Sequence, residues 1–212
     1  MEITLTLIEV RVLGSLIEKE VTTPDYYPLS VNALQNACNQ TSNRHPVVSY
    51  DEKTVMAALD QLKEKGLVSP TLIGRVPKYE EFFLKRLNLV QQEVAAICVL
   101  MLRGPQTCGE IRTRSERLHH FESLDEVYKT LKTLEGWGYV TLLPRQRGRK
   151  EPRYAQLFSP LPEESDEEEA DLSESDSAEN TKIANLELEV ATLRLEVDAL
   201  KKAFAEFKTQ FE

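Results

Sequence analysis

Two stretches of this 212-residue chain carry one pattern: DEKTVMAALDQLKEKGLV at residues 51–68 and SLDEVYKTLKTLEGWGYV at residues 123–140. In both, apolar residues recur in steps of four and three, which places them on one face of a helix. Asp51 and Ser123 are residue types that cap helix starts, and Gly66 and Gly138 suit the position just after a helix end. The repeat therefore predicts two copies of a helix that ends and continues as a strand.

The segments upstream of the two copies also match. PLSVNAL at residues 28–34 resembles PQTCGEI at residues 105–111, and Ser30 and Thr107 are the predicted N-caps of a second helix in each copy. A longer amphipathic helix is predicted before each, over residues 7–20 and 89–103. Each copy then continues into a predicted hairpin, with strands at residues 67–73 and 80–84 in the first and at 139–143 and 153–158 in the second.

Three helices followed by a two-stranded hairpin, repeated, predict two tandem winged-helix domains. The expected fold class is mainly α with small β-wings (α+β), followed by an acidic disordered linker and a C-terminal coiled-coil helix. The predicted boundaries are residues 1–86 and 87–160 for the winged-helix domains, 161–181 for the linker and 182–212 for the coil.

The linker prediction depends on composition. EESDEEEADLSESDSAEN at residues 163–180 holds ten acidic residues, no aromatic residue and no cation. Such a segment buries too little apolar surface to offset the entropy lost on ordering.

The coil prediction depends on a 3.5-residue apolar period. β-branched residues at the first a positions and Leu at the d positions favour a parallel dimer. The predicted oligomerisation residues are Ile183, Leu186, Val190, Leu193, Val197, Leu200, Phe204 and Phe207. Leu188 and Leu195 fall at outward-facing f positions.

A dense basic stretch, PRQRGRKEPR at residues 144–153, contrasts with the formal charge of −9 for the whole chain. Residues 87–160 hold eleven Lys and Arg against eight Asp and Glu, so the second domain is basic at +3. The stretch falls in the second predicted wing, where arginines suit phosphate contacts. The predicted nucleic-acid-binding residues are Arg145, Arg147, Arg149, Lys150, Arg153, Arg112, Arg114, Lys129, Lys132 and Arg44. A solubilising loop or a partner for the acidic linker are the alternatives.

Arg44 belongs to the loop NQTSNRHP at residues 39–46, whose amides and hydroxyls suit either phosphate contacts or capping of the loop's own backbone. Internal capping is the favoured interpretation. The first recognition helix exposes Asp60 and Glu64, which repel phosphate, so base readout is not expected from the first domain.

Other site chemistry is not expected. The chain has no Walker loop, GxGxxG or HExxH motif, so it is predicted not to be an enzyme, and neither a cofactor nor a metal is expected. Its three cysteines lack CxxC spacing, and Cys98 reads as core, as do Trp137 and Tyr139. With no secretion signal or membrane span in the sequence, the predicted location is the cytoplasm.

A longer motif, TTPDYYPLSVNALQNACNQTSNRHPVVSYDEKTV at residues 22–55, resembles the signature of the bacterial YceH-like family of tandem winged-helix proteins. The similarity covers residues 1 to about 160. The resemblance implies the fold and a bacterial cytoplasmic setting, and it brings no activity, substrate or catalytic residue.

The sequence thus predicts a dimeric DNA-binding protein, a transcriptional regulator that contacts phosphates of duplex DNA through its second wing. The acidic linker is hypothesised to compete for that wing, so deleting residues 163–180 should tighten DNA binding, and an unchanged affinity would contradict this. The alternative is a protein-interaction adaptor with no direct role at DNA.

Overall fold

Helices make up about half of the described part of the chain, and small antiparallel sheets and loops make up the rest. A computed structural model describes residues 3–73, 76–144 and 151–161, which belong to one unit spanning residues 1–161. The helices are α1 (Leu7–Thr22), α2 (Val31–Cys38), α3 (Glu52–Glu64), α4 (Phe83–Leu87), α5 (Gln91–Arg103), α6 (Cys108–Arg114) and α7 (Leu124–Gly136). The strands are β1 (Leu29–Ser30), β2 (Val68–Ile73), β3 (Val76–Glu81), β4 (Val140–Leu142) and β5 (Tyr154–Gln156).

The predicted mixture of helices and small sheets is confirmed. The predicted acidic linker, residues 161–181, lies outside the described residues except for Leu161, and the predicted coil, residues 182–212, lies outside them entirely.

Helix starts and ends follow the local sequence as predicted. The side chains of Asp51 and Ser123 accept hydrogen bonds from backbone N–H groups at the starts of α3 and α7. Ser30 and Thr107 do the same for α2 and α6. Gly66 and Gly138 take positive φ angles of 67° and 75° after the helices end, a conformation that L side chains rarely adopt.

Each half of the described chain has its own sheet. In the first, β3 lies between β1 and β2, and Val68 pairs with Glu81 at the base of the β2–β3 hairpin. In the second, β4 pairs with β5, and Val140 lies opposite Gln156. All three strand pairs, β1 with β3, β2 with β3 and β4 with β5, are antiparallel.

The predicted strand over residues 80–84 ends three residues early. The Phe82 N–H donates to the Leu67 carbonyl at 2.8 Å as the last bond of the hairpin. The chain then forms α4, because the Glu81 carboxylate accepts from the Leu84 N–H at 2.9 Å and so caps the turn. Phe83 is fully buried and packs edge-on against Phe158, with ring centroids 4.9 Å apart.

Trp137 is not a core residue, and that prediction is wrong. Its side chain is 49% exposed at the end of α7, where it contacts Tyr139 edge-on at 5.9 Å. Tyr139 is the residue that packs against the core, with its ring 5.5 Å from that of Phe158. Gly138 lies between the two residues with a positive φ, and beyond it Tyr139 packs against the core while Trp137 stays at the surface.

Both halves contribute to one hydrophobic core. α1 packs on α5, and Gly14 permits the close approach, since a Cβ there would lie 3.1 Å from Leu102 Cδ2. The Leu5 N–H also donates to the Phe158 carbonyl at 2.7 Å. The first and last described segments therefore meet in the same interior.

Candidate nucleic-acid interface

The predicted basic wing connects two paired strands. β4 and β5 are hydrogen-bonded, and beyond them the Leu143 N–H donates to the Arg153 carbonyl at 2.8 Å. The chain between these paired ends contains the four cations Arg145, Arg147, Arg149 and Lys150, which lie outside the described residues. The hairpin expected from the sequence is therefore present at its base.

Arg153 fastens this hairpin to α6. Its Nη2 lies 3.1 Å from Glu110 Oε1, and its Nη1 donates to the Pro105 carbonyl at 2.8 Å. Arg114 approaches the same Glu110 oxygen at 3.6 Å and donates to the side-chain oxygen of Gln106. Two of the predicted phosphate contacts thus interact with one carboxylate of the chain itself.

Arg112 is also engaged within the protein. Its Nε donates to the Phe121 carbonyl at 3.2 Å, and its Nη2 donates to the Glu122 carbonyl at 3.0 Å. These bonds hold the loop between α6 and α7 and so fix the start of α7.

The two lysines of α7 are exposed but paired. Lys129 Nζ lies 2.7 Å from Asp125 Oδ2, and Lys132 Nζ lies 2.7 Å from Glu135 Oε2. The hydrogen bond from Asp125 raises the pKa of Lys129, and that from Glu135 raises the pKa of Lys132. Ion pairs this exposed are weak and exchange readily, so a phosphate can compete for either lysine.

Arg44 is buried, with a side-chain exposure of 0%, so it is not placed to contact a nucleic acid. Its two terminal nitrogens contact both carboxylate oxygens of Glu18, at 3.0 and 2.6 Å, and its Nε donates to the Ala37 carbonyl at 3.1 Å. Burial alone would raise the pKa of Glu18, but Arg44 outweighs this and lowers it. Arg44 therefore serves the fold, in line with the favoured interpretation of its loop.

The rest of that loop is bonded within itself and to α1 and α5. Asn39 exchanges two hydrogen bonds with the backbone of Tyr50, both at 2.8 Å. Arg11 of α1 donates to the Cys38 carbonyl at 3.1 Å and to the Pro46 carbonyl at 2.7 Å. The His45 N–H donates to the Leu102 carbonyl of α5 at 2.9 Å. Residues 39–50 thus form a brace between the two halves, which we call the signature loop.

Sequence reasoning missed Arg11 and Glu18 as parts of this brace. The sequence does contain a signal for Arg11, because it is a charged residue among the apolar residues Val10, Val12 and Leu13 in α1. A charge in such a position needs a buried partner.

Comparison with known proteins places the chain in a family. The family model described as "Protein of unknown function, DUF480" matches residues 5–149. The chain belongs to the DUF480 family. A UPF0502 protein of Solibacter usitatus is 51% identical over 206 residues, covering 96% of both chains. Another, from Pelobacter propionicus, is 50% identical over 219 aligned residues and covers both chains fully.

A third UPF0502 relative, from Hahella chejuensis, is 47% identical over 206 residues, covering 93% of this chain and 94% of its own. The bacterial family expected from residues 22–55 is thereby confirmed at this level, under the names DUF480 and UPF0502. The signature loop lies inside the matched region.

Two cysteines of this DUF480 protein are core residues. Cys38 and Cys98 are fully buried, and burial raises the pKa of both thiols. Cys108 is half-buried, and burial raises its pKa as well. Thiols with raised pKa values carry little thiolate at neutral pH and are weak nucleophiles.

Within residues 3–73, 76–144 and 151–161, no helix is both long and apolar enough to cross a membrane. The same residues contain no group of three or more His, Cys, Asp or Glu side chains placed to hold a metal ion.

Proposed function

We propose that this protein is a DNA-binding transcriptional regulator built from two tandem winged helices, in which the second hairpin contacts phosphates. The observation that carries the proposal is the paired base of that hairpin. β4 and β5 bracket a connection whose sequence supplies Arg145, Arg147, Arg149 and Lys150. Arginine pairs with phosphate through two parallel hydrogen bonds, and a wing is suited to follow a duplex backbone.

In this proposal, the arginines that are bonded within the protein position the hairpin and α7. Arg153 and Arg114 anchor the hairpin to α6 through Glu110, while Arg112 holds the loop before α7. A rigid base reduces the entropy lost when the wing grips DNA. Lys129 and Lys132 then add exposed charge on α7, the helix that contacts β4.

Self-association through residues 183–207 completes the proposal. Two basic wings in one dimer raise each other's effective concentration at a duplex, so weak single contacts become useful.

A second candidate function is that of a protein-interaction adaptor, and the surface of α7 favours it. Each lysine of α7 is neutralised by a carboxylate of the same helix. Leu124 and Tyr128 are 50% and 47% exposed on that helix. Exposed apolar and aromatic residues with balanced charge are typical of protein interfaces rather than of phosphate-binding surfaces.

Fluorescence anisotropy with a labelled random-sequence duplex, at two salt concentrations, separates these functions. We expect the full-length protein to bind with a steep salt dependence, because each phosphate contact contributes about −0.9 to the slope of log K against log salt. Changing Arg145, Arg147, Arg149 and Lys150 together to Ala should remove most of that slope. A control that changes the exposed Lys53, Lys63 and Lys85 of the first half to Ala should retain it.

If neither the wild type nor the control binds at low salt, direct DNA binding is wrong and the adaptor function takes its place. Equal losses in the wing variant and the control would show a general charge effect and would also contradict phosphate contact by the wing.

A further inference from the structure

The first hairpin, β2 with β3, carries an apolar tip. Leu72 is 82% exposed, the largest fraction among the large apolar side chains of the described residues, and Val76 is 56% exposed. The register pairs Leu72 with Pro77, which is also exposed, and Ile73 with Val76. Residues 74 and 75, which lie outside the described residues, join the two strands at this end. Apolar surface therefore collects where the hairpin ends.

This apolar surface belongs to both faces of the hairpin. Directly opposite residues of an antiparallel pair share a face, and so does every second residue along one strand. Leu72 and Pro77 thus continue the face of Val68 and Tyr79, which are buried nearer the base of the hairpin, at 3% and 9% exposure. Val76 lies on the other face. The core-facing side of the hairpin therefore extends beyond the core that covers its base.

The edge of this hairpin is protected, although its tip is not. β2 is an edge strand, since the strand order of the sheet is β1–β3–β2. The Phe82 N–H donates to the Leu67 carbonyl, so every second residue from 67 onward faces β3, and Pro70 faces away from it. Proline has no N–H to donate, which hinders the addition of another strand at this edge. Strand pairing with a partner therefore does not account for the exposed apolar tip.

The charge around the tip suits an anionic partner. Residues 71–78, TLIGRVPK, hold two cations and no acidic residue, whereas residues 1–86 as a whole hold ten Lys and Arg against eleven Asp and Glu. The tip is thus locally cationic in a half of the chain that is slightly acidic. Proteins that bind the minor groove of DNA combine cations with apolar side chains that are inserted between base steps.

We propose that the first hairpin is an apolar wedge, formed by Leu72, Val76 and Pro77, that enters the minor groove of duplex DNA and unstacks a base step. This inference rests on the proposed DNA-binding function and adds a second kind of contact to it. The two strands of a hairpin lie about 5 Å apart, and the minor groove is about 6 Å wide. The strands and their side chains therefore fit only if the groove opens, and such wedges kink the duplex by about 20–90°.

The two hairpins then recognise different properties of DNA. The second hairpin contacts phosphates, so its contribution to binding depends steeply on salt. The wedge buries apolar surface and releases no counterions, so its contribution is nearly independent of salt. It favours flexible pyrimidine–purine steps, because these steps kink and unstack easily. The first hairpin therefore recognises deformability rather than base edges.

Resonance energy transfer between dyes on the two ends of a short duplex with a central TpA step measures this bend. We expect the full-length wild type to raise the transfer efficiency and to bind this duplex about tenfold more tightly than a stiff A-tract duplex of equal length. Leu72→Ser combined with Val76→Thr should leave the transfer efficiency at the value of free DNA and remove that preference. The affinity of this double variant for the TpA duplex should fall about tenfold, because apolar burial is lost, while its salt slope should stay unchanged.

Two controls separate the wedge from general effects of the substitutions. Leu7→Ser removes another exposed leucine, 67% exposed at the start of α1, and should behave as the wild type on both duplexes. Because Leu72 and Val76 are exposed, the double variant should also unfold at the wild-type urea concentration. Lost bending in a variant of unchanged stability is then a loss of contact with DNA.

The outcomes distinguish this inference from the proposed function. If the wild type binds DNA with a steep salt slope and the double variant bends and binds DNA equally well, the wedge is wrong and phosphate contact by the second hairpin stands. The apolar tip would then belong to a protein interface. A double variant with a reduced salt slope would also overturn the wedge, since the wedge contributes no phosphate contact. A wild type that binds neither duplex at low salt would contradict DNA binding itself and the wedge with it.

Discussion

At the scale of single residues, Arg44 and Arg11 show that some arginines of this protein bind groups of the protein itself. Arg44 is enclosed by Glu18 and backbone carbonyls, and Arg11 donates to the Cys38 carbonyl just before the signature loop and to the Pro46 carbonyl within it. Both groups are therefore structural. Burying an ion pair has a desolvation cost, and breaking one is strongly destabilising, since removal of one partner leaves the other charge buried and unpaired.

Arg44→Ala should lower the free energy of unfolding by about 3 kcal/mol, because Glu18 would remain buried without its cation. Urea denaturation measures this. The matched control is Lys19→Ala, which removes a cation 3.3 Å from the same carboxylate at a more exposed position, and it should cost less than about 1 kcal/mol. Similar losses in the two variants would contradict the role assigned to Arg44.

The pair of Glu18 and Arg44 also makes the stability of the folded protein depend on pH in the acidic range. The pKa of Glu18 is lowered in the folded chain, so its stabilisation is present above the ordinary carboxyl pKa and is lost as the pH falls through the lowered value. This part of the acid sensitivity should be smaller in Arg44→Ala, which urea midpoints at pH 3 and pH 6 would measure.

At the scale of elements, the contact between α1 and α5 depends on the absence of a side chain at Gly14. A Cβ there would lie 3.1 Å from Leu102 Cδ2 and 3.2 Å from Met101 Cβ. Gly136, the last residue of α7, has open space around its Cβ position. A substitution at Gly136 therefore tests helix propensity alone, whereas the same substitution at Gly14 tests helix propensity and packing together.

Gly14→Ala should destabilise the protein by roughly 1 kcal/mol, because overpacking of about 2 kcal/mol outweighs a gain of about 1 kcal/mol in helix propensity. Gly136→Ala should be neutral or stabilising by up to about 1 kcal/mol. Thermal or urea unfolding of both variants tests the pair, and a stabilising Gly14→Ala would mean that α1 and α5 adjust more freely than the close contact indicates.

Some helix boundaries follow from nearby residues in the sequence, and others depend on tertiary contacts. The caps at Asp51 and Ser123 and the glycine ends at Gly66 and Gly138 follow from residues within one turn of each boundary. The start of α4 depends instead on Glu81, whose carboxylate accepts from the Leu84 N–H and whose own N–H donates to the hydroxyl of Tyr27, 54 residues away in the chain. The apolar sequence around Phe82 is compatible with a strand or a helix, so only the tertiary contacts decide between them.

At the scale of the whole molecule, the apolar period of residues 183–207 predicts a dimer. Leu193→Asp places a charge at a predicted d position and should dissociate it, whereas Leu195→Asp changes a predicted f position and should not. Size-exclusion chromatography with light scattering should give twice the chain mass of 24.2 kDa for the wild type and for Leu195→Asp. A wild type with the mass of a single chain would contradict the coil prediction.

The sequence by itself determined the repeat, the helix caps, the glycine ends and the family, because each depends on residues close together in the chain. Only the tertiary structure decided which charges face inward. Glu18 and Arg44 are 26 residues apart, and Arg153 is 43 residues from Glu110. The sequence alone does not say whether an arginine binds a phosphate or a distant carboxylate of the same chain. Its partner depends on which groups the packed helices bring within about 3 Å of the guanidinium group.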